Sequence, residues 1–268
     1  HKVLNLLLTY DPKSLDPAIG LYAAQVKVVV ECLFEPLVRF DFETQSAVPA
    51  LARSWEVSPD GLVWTFKLRD DVVWSDGVPV TAHDVEFSFK RLVDPAVASP
   101  LSGRLILLKG AKEVLSGESN DLSSIGVEAL DDYTVRFTLA YPAPYFLVLV
   151  ASLGFPVPQH AVEEYGEEWT DPANIVTDGP FLMKNFIHYN KIDLVKNPDY
   201  YDAQNVDIDE VHFIYVDSES TGLAMYEAGE VDTASVPFAE IDRVKSDPVL
   251  SKEFVSVPWL ATQEVQFN

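Results

Sequence analysis

The chain has 268 residues, of which 48% are hydrophobic and 12% aromatic, a composition typical of a folded globular protein rather than a disordered one. It carries 19 Lys and Arg against 42 Asp and Glu, a formal net charge of −23, which argues against binding to nucleic acids because their phosphates would be repelled. The single cysteine, Cys32, excludes an intrachain disulfide. No apolar run reaches the length of about 18 residues that predicts a membrane-spanning helix.

The first predicted elements are a strand, a loop and a helix. Residues 3–9 indicate a strand that ends at Tyr10-Asp11-Pro12, and Ser14-Leu15-Asp16-Pro17 predicts a turn into a loop over 18–21. A broad apolar face predicts a helix over 22–35, which Pro36 ends. Cys32 lies on that helix among apolar neighbours, so we expect a small buried side chain rather than a nucleophile.

The best-specified stretch of the chain is 51–92. Trp64, Phe66 and Leu68 alternate with polar residues, a pattern that predicts a half-buried strand. Turns are predicted on both sides of this strand, at Ser58-Pro59-Asp60-Gly61 and at Trp74-Ser75-Asp76-Gly77. A capped helix follows, because Thr81 and Asp84 have the spacing of a capping box. Val85, Phe89 and Leu92 should form its buried face, and Asp94-Pro95 should end it.

The middle of the chain continues with weaker signals. Residues 101–116 are weakly helical, and 126–130 and 133–139 predict two strands. The apolar run 145–150 fits either a helix or an extended segment. Pro156-Val157-Pro158 interrupts the pattern most strongly, so we predict a domain boundary there.

Beyond that boundary the pattern is again mixed α and β. We predict a helix over 159–165 and an antiparallel pair over 181–186 and 191–196. The near-continuous apolar run 211–216 predicts a strand covered on both faces. A helix over 218–228 should begin at Ser218 and end before Gly229, which would make a βαβ unit with the segment that follows. The final run, 254–267, is again strand-like.

The sequence contains no recognisable catalytic or metal-binding pattern. It lacks a G-x-G-x-x-G, a P-loop, an H-E-x-x-H and a G-x-S-x-G motif, and its five histidines have no ligand spacing. We therefore predict no cofactor, no metal and no enzymatic activity. The competing hypothesis from another class is a secreted hydrolase that uses two carboxylates with pKa values pushed apart in one pocket.

A resemblance to a known family rests on a series of segments in fixed order. The segment 51–92 contains W-T-F-K-L-R, W-S-D-G and P-V-T-A-H-D-V, and it follows S-L-D-P and F-E-P-L. I-V-T-D-G-P-F-L, N-P-D-Y-Y and A-G-E-V-D come later in the chain. In this order the chain resembles the family 5 bacterial solute-binding proteins, the extracytoplasmic receptors of ABC importers for peptides, nickel and related solutes. It is most similar to the oligopeptide-binding branch.

The resemblance implies an α/β fold, a type II periplasmic-binding-protein-like lobe with a mixed sheet and an inserted α+β subdomain. The ligand-binding lobe would comprise 1–36 and 159–268, and the insert 37–158. Because family members are usually much longer, we expect the second lobe to lie outside this sequence, and we expect 268 residues alone to bind ligand weakly.

The implied function is non-enzymatic delivery of oligo- or dipeptides to the permease subunits of an ABC importer, by lobe closure around the ligand. The alternative within the family is a nickel chelate, haem or another small solute. The resemblance also implies an extracytoplasmic monomer, located in the periplasm or anchored as a lipoprotein on the outer face of the cell membrane.

Ligand contacts can be transferred by position from the oligopeptide-binding branch. The implied contact residues are Gly20, Leu21, Tyr22, Leu101, Ala151, Ser152, Ala234, Ser235, Val236, Thr262 and Gln263. Among them, Tyr22 is the aromatic side chain we expect to stack on a ligand, since it follows a loop. The sequence departs from the branch at Leu101, where an aromatic is common, and at 263–265, where tyrosines are common. These departures weaken the expectation of oligopeptide specificity but not the family resemblance.

Overall fold

The computed structural model describes residues 1–257. Its strands are β1 (Val3–Leu8), β2 (Val38–Asp41), β3 (Ser46–Pro49), β4 (Ala52–Val57), β5 (Val63–Leu68), β6 (Val127–Asp131), β7 (Thr134–Thr138), β8 (Phe181–Ile187), β9 (Lys191–Lys196) and β10 (Glu210–Tyr215). Its α-helices are α1 (Pro17–Gly20), α2 (Ala24–Leu33), α3 (Ala82–Val93), α4 (Ala111–Leu115), α5 (Phe146–Leu153), α6 (Gln159–Tyr165), α7 (Glu219–Glu227), α8 (Ile241–Ser246) and α9 (Leu250–Glu253).

One sheet combines strands from the two ends of the described chain. Its order is β1-β10-β9-β8, with β1 parallel to β10 and the remaining pairs antiparallel. The predicted hairpin of β8 and β9 is confirmed. The prediction that 211–216 is covered on both faces was wrong, because Val211 and Phe213 are buried whereas His212 and Ile214 are only half-buried. The run 211–216 includes the polar His212, which needs no apolar cover. Its Nδ1 lies 2.7 Å from Oδ1 of Asp193 on the neighbouring strand.

A second sheet is formed entirely from the middle of the chain. Its order is β4-β5-β7-β6, with all pairs antiparallel, and β2 and β3 make a separate hairpin. Helix α3 contacts β6 and β7. Strand β4 escaped sequence prediction because its residues, A-R-S-W-E-V, are mostly exposed and therefore show no apolar alternation.

The predicted turn, strand, turn and capped helix over 51–92 are confirmed. Gly61 and Gly77 have positive φ angles of 71° and 89°, which a residue with a side chain rarely adopts. The side chains of Thr81 and Asp84 form the predicted capping box at the start of α3. Asp94 is the C-terminal cap of the same helix, as the following proline predicts.

Three predicted segments differ in the structure, and one segment for which two alternatives were left open is decided. Residues 18–21 are not simply a loop, because Pro17–Gly20 form a short helix capped by Asp16. The ambiguous apolar run is a helix, α5. The second strand of the predicted βαβ unit is absent from the described residues. Instead, the chain after α7 runs beside β1, with the Asp232 N–H donating to the Asn5 carbonyl at 2.9 Å. The predicted C-terminal strand does not begin at 254–257, and its remaining residues lie outside the described part of the chain.

Candidate ligand-binding surface

Three of the segments predicted to contact ligand, at 20–22, 101 and 234–236, lie near one end of β1 in the mixed sheet. Strands β1 and β10 are parallel, so their carboxyl ends meet at the same edge. The segment with Gly20, Leu21 and Tyr22 follows β1 and leads into α2. In open α/β sheets, ligands bind outside the carboxyl ends of such strands. The segment therefore lies where such sheets bind ligands, and its contact with a ligand stays a prediction.

A buried carboxylate holds the segment after β1 in place. Asp16 is 4% exposed, and its Oδ1 caps α1 by accepting the Ala18 N–H at 2.9 Å. Arg91 on α3 donates two hydrogen bonds to this carboxylate, at 2.9 and 2.6 Å. The indole N–H of Trp169 adds a further bond to Oδ2 at 3.2 Å. A carboxylate with this many donors fixes the start of the loop against two other elements.

A second contact joins two of the predicted site groups that are distant in sequence. The Ser99 hydroxyl donates to the Ala18 carbonyl at 2.5 Å and accepts the Leu101 N–H at 3.2 Å. Leu101 therefore lies next to the segment 18–22. The whole residue is 0% exposed, backbone included, so it presents no surface to a ligand in this arrangement, and ligand contact by Leu101 stays a prediction.

Within the first site group only Tyr22 presents a large side chain to solvent. It is 68% exposed, whereas Leu21 is 7% exposed. Gly20 is buried, and a Cβ at this position would lie 2.9 Å from both the Ser14 carbonyl oxygen and a methyl group of Val26. Gly20 is thus tightly packed, whereas the Tyr22 ring is free of the core. Stacking of Tyr22 on a ligand is compatible with this exposure and stays a prediction.

The group Ala234, Ser235 and Val236 lies beside β1. Asp232 anchors it, since the Asn5 N–H donates to the Asp232 carboxylate at 2.6 Å. Ala234 and Ser235 line a cavity of about 220 Å³ with residues 6–8 of β1 and with Gln25 of α2. The same two residues and Val236 also line a larger cavity of about 480 Å³ against α7, α8 and α9. Sequence reasoning missed this larger cavity because its apolar lining comes from short helices that are separate in sequence.

The remaining predicted site residues are not brought into this arrangement by any described contact. Ala151 is 8% exposed on α5, and the Ser152 hydroxyl is satisfied within that helix by the Val148 carbonyl at 2.9 Å. The end of α5 is tied to the β2 side of the molecule, where the Leu37 N–H donates to the Gly154 carbonyl at 2.6 Å. Thr262 and Gln263 lie outside the described residues. Ligand contact by these four residues stays a prediction.

A buried polar cluster elsewhere was not predicted from sequence. Glu35 is fully buried, and its carboxylate pairs with Arg39 at 2.6 Å and accepts the Tyr200 and Tyr201 hydroxyls at 2.9 Å each. Burial raises the pKa of Glu35, although Arg39 and the two hydroxyls oppose the shift. Burial and the nearby Glu35 raise the pKa of Tyr201 to about 12.

Two other observations limit the chemistry of the described residues. Cys32 is half-buried, and burial, with a smaller contribution from Glu31, raises its thiol pKa to about 12, which disfavours the nucleophilic thiolate. Within 1–257, no three His, Cys, Asp or Glu side chains lie close enough together to hold a metal ion.

Comparison with known proteins decides the family. The family model described as "Bacterial extracellular solute-binding proteins, family 5 Middle" matches residues 46–268. The chain belongs to this family.

Curated family 5 relatives have several different names. The chain is 37% identical to a probable deoxycholate-binding periplasmic protein of Escherichia coli, over 96% of this chain and 48% of that protein. It is 38% identical to the periplasmic oligopeptide-binding protein OppA of Salmonella typhimurium, over 88% of this chain and 44% of OppA. The chain thus spans about half the length of the curated relatives it matches.

Solved family 5 structures have the same fold. Burkholderia pseudomallei OppA superposes with a TM-score of 0.86 at 33% identity, covering 91% of this chain and 48% of that one. Haemophilus influenzae OppA, solved in complex with the peptide RPPGFSPFR, gives a TM-score of 0.85 at 34% identity, over 91% of this chain and 48% of that one. These structures confirm the predicted type II periplasmic-binding-protein fold with its mixed sheet.

The family 5 resemblance made from the signature segments is thereby confirmed. Those segments have structural roles in the fold, as caps, turns and buried anchors.

No helix among residues 1–257 is both long enough and apolar enough to cross a membrane.

Proposed function

We propose that this family 5 chain binds peptides outside the cytoplasm and serves their delivery to the permease subunits of an ABC importer. The observation that carries this proposal is the 0.85 TM-score with an OppA structure that holds a peptide, at 34% identity. The names of further relatives, a murein peptide-binding protein at 34% identity and a dipeptide-binding protein at 34%, support the same ligand class.

The chemistry of the candidate surface fits a peptide ligand. None of the residues carried over from the oligopeptide-binding branch has a charged side chain. An extended peptide can be held through backbone hydrogen bonds, with roomy pockets for its side chains. Such a surface would tolerate many peptide sequences.

We further infer that 1–36 and 159–268 act as the ligand-binding lobe and that 37–158 is an insert. Support comes from the two sheets, because β1, β8, β9 and β10 belong to the first set of residues and β4 to β7 belong to the second. The chain spans about half the length of its curated relatives, so we expect these 268 residues alone to bind a ligand weakly.

A second candidate ligand is a small amphipathic solute. One relative at 37% identity is named as probably deoxycholate-binding, and the larger cavity of about 480 Å³ lies against Ala234 and Ser235. The apolar residues of its lining include Leu223, Ile241 and Phe254. Nickel chelates and haem remain further alternatives within the family.

We propose that the protein binds without chemical turnover. Within 1–257, the carboxyl groups whose pKa is raised are those of Glu35 and Asp178. Both are at most 1% exposed, and neither lines a cavity described above. The competing hydrolase would need a carboxyl with a raised pKa that is open to its substrate and lies beside an ionised carboxylate, so this arrangement supports binding over hydrolysis.

The proposed ligand class can be tested by saturation-transfer NMR, which detects weak binding. We expect transfer from the chain to short peptides, and recovered peptides of unchanged mass. A panel of deoxycholate, a nickel chelate and haem provides the comparison. Transfer to one of these with none to peptides would contradict the peptide assignment, and cleaved peptide would contradict the non-enzymatic one.

Tyr22 gives a residue-level prediction. We expect Tyr22→Ala to weaken peptide binding by about 0.5–1.5 kcal/mol, the usual range for an aromatic contact. The melting temperature should hardly change, because the ring is 68% exposed. Phe42→Ala is a matched control, since Phe42 is 79% exposed in the turn between β2 and β3. Equal affinity of the two variants would argue against a role for Tyr22.

A further inference from the structure

Residues 33–36 and 177–180, which both belong to the proposed lobe, pack together beside the turn at Ser75 of the insert, and we call this region the joint. The Ser75 N–H donates to the Thr177 carbonyl at 2.8 Å, and the Thr177 N–H donates to the Ser75 hydroxyl at 3.1 Å. The Gly179 N–H donates to the Leu33 carbonyl at 2.9 Å. A Cβ on Gly179 would lie 2.5–2.7 Å from backbone atoms of Leu33 and Phe34, so the two stretches of the lobe are in close contact here.

Asp178 occupies the centre of this joint. It is 1% exposed, and its Oδ1 accepts the Glu35 N–H at 2.9 Å. Its other oxygen, Oδ2, is buried and has no hydrogen-bond partner within residues 1–257. A buried carboxylate with one unpartnered oxygen is costly, because its negative charge has lost water without gaining a donor.

The charges around Asp178 make ionisation more costly still. Glu35, at the end of α2, and Asp84, on α3, both act on Asp178 as like charges. The nearby cation, Arg39 on β2, is already paired with Glu35 at 2.6 Å.

In the turn after β9, the side chains directed at Glu35 are neutral tyrosines, whereas the acidic Asp199 of the same turn is exposed. The Tyr200 and Tyr201 hydroxyls are directed at the Glu35 carboxylate, and the Arg69 guanidinium lies over the Tyr201 ring, 4.2 Å from its centre. Asn197 and Ser75, which complete the surroundings, are neutral. Among residues 1–257, the groups named around Asp178 therefore include no unpaired cation, and the Glu35 N–H is the donor that favours its ionised form.

We propose that Asp178 is held protonated in the folded protein at neutral pH, and that losing this proton as pH rises weakens the joint, where the two stretches of the lobe meet beside the insert. The protonated carboxyl keeps its bond from the Glu35 N–H without burying a charge. The joint is thus a pH-sensitive element, most stable on the acid side of neutrality.

The direction of the pH effect follows from linkage. Burial, reinforced by Glu35 and Asp84, raises the pKa of Asp178 well above its ordinary value. The folded state therefore binds this proton more tightly than the unfolded state does. The stabilisation is complete below the unfolded-state pKa of about 3.9 and is lost as pH rises toward the folded-state pKa.

The test compares the 268-residue chain with its Asp178→Asn variant in urea unfolding at several pH values. The amide has nearly the same shape but no charge to bury. The quantity compared is the equilibrium constant of unfolding, wild type divided by variant. We expect this ratio to rise by up to about tenfold per pH unit above about pH 4 and to level off above the folded-state pKa of Asp178. The exposed Glu118 offers a control, because Glu118→Gln removes one charge outside the joint and should give a flat ratio.

A ratio for Asp178→Asn that stays constant between about pH 4 and pH 8 would overturn the proposal, since linkage requires it to change. Should the variant fail to fold, carbon-13 NMR of aspartate carboxyl groups in the wild-type chain gives the same answer. We expect one buried carboxyl to remain protonated at neutral pH. Titration of every aspartate near its ordinary pKa would refute the proposal.

Discussion

Replacing Asp16 with alanine is expected to lower the free energy of unfolding by about 3–5 kcal/mol, the usual cost of breaking a buried ion pair. The side chains of Asp16 and Arg91 are only 6% and 16% exposed, and they form two hydrogen bonds. The variant would leave the guanidinium largely buried without its counterion. It would also remove the acceptor of the Trp169 indole and the cap of α1. Urea unfolding followed by circular dichroism measures the change.

The control for this prediction is an exposed pair. Arg53 and Asp70 approach to 3.6 Å, with side chains 55% and 62% exposed. Asp70→Ala should therefore cost less than about 1 kcal/mol. Equal effects of the two substitutions would show that the Asp16 cluster does not anchor the loop. We also expect Asp16→Ala to weaken any peptide binding that depends on the position of Tyr22.

Replacing Phe137 with alanine is expected to destabilise the chain by about 3–5 kcal/mol, as large-to-small substitutions of buried phenylalanines do. Phe137 is fully buried on β7 and lies between three other rings. Ring centroids are 5.4 Å away for Phe66, 4.8 Å for Phe89 and 5.4 Å for Phe146. The cavity would form where strands β5 and β7 meet helices α3 and α5, so neighbouring elements could not easily collapse into it.

Phe238→Ala is the matched control, because Phe238 is 92% exposed. It should change the free energy of unfolding by no more than about 0.5 kcal/mol. Thermal and urea unfolding of both variants should agree on this order. A loss below about 1 kcal/mol for Phe137→Ala would mean that the four-ring cluster repacks, contrary to the geometry described here.

Elements with local signals were predictable from sequence. The helix at Ala82 could be placed because Thr81 and Asp84, three residues apart, supply its capping box. Helix α7 could be placed because Ser218 caps its start and Gly229, with φ of 74°, follows its end. Strand β5 shows the alternation of a strand with one buried face.

Elements without local signals were missed or mistaken. Strand β4 exists because β5 pairs with it, although its own residues show no apolar alternation. The apolar run of β10 predicted cover on both faces, but burial depends on which helices pack on the sheet. Leu101 occupies a position expected to face ligand, yet its side chain lies in the core.

By itself the sequence determined the family, the caps and turns, and most of the helices and strands, because each depends on residues close together in the chain. Only the tertiary structure decided which contacts hold the candidate surface in place and which carboxyl groups are buried. Asp16 meets partners 75 and 153 residues away, and Glu35 and Asp178 are 143 residues apart. A carboxylate in sequence does not show whether it will be solvated, paired or protonated. That depends on burial and on the donors that folding brings to it.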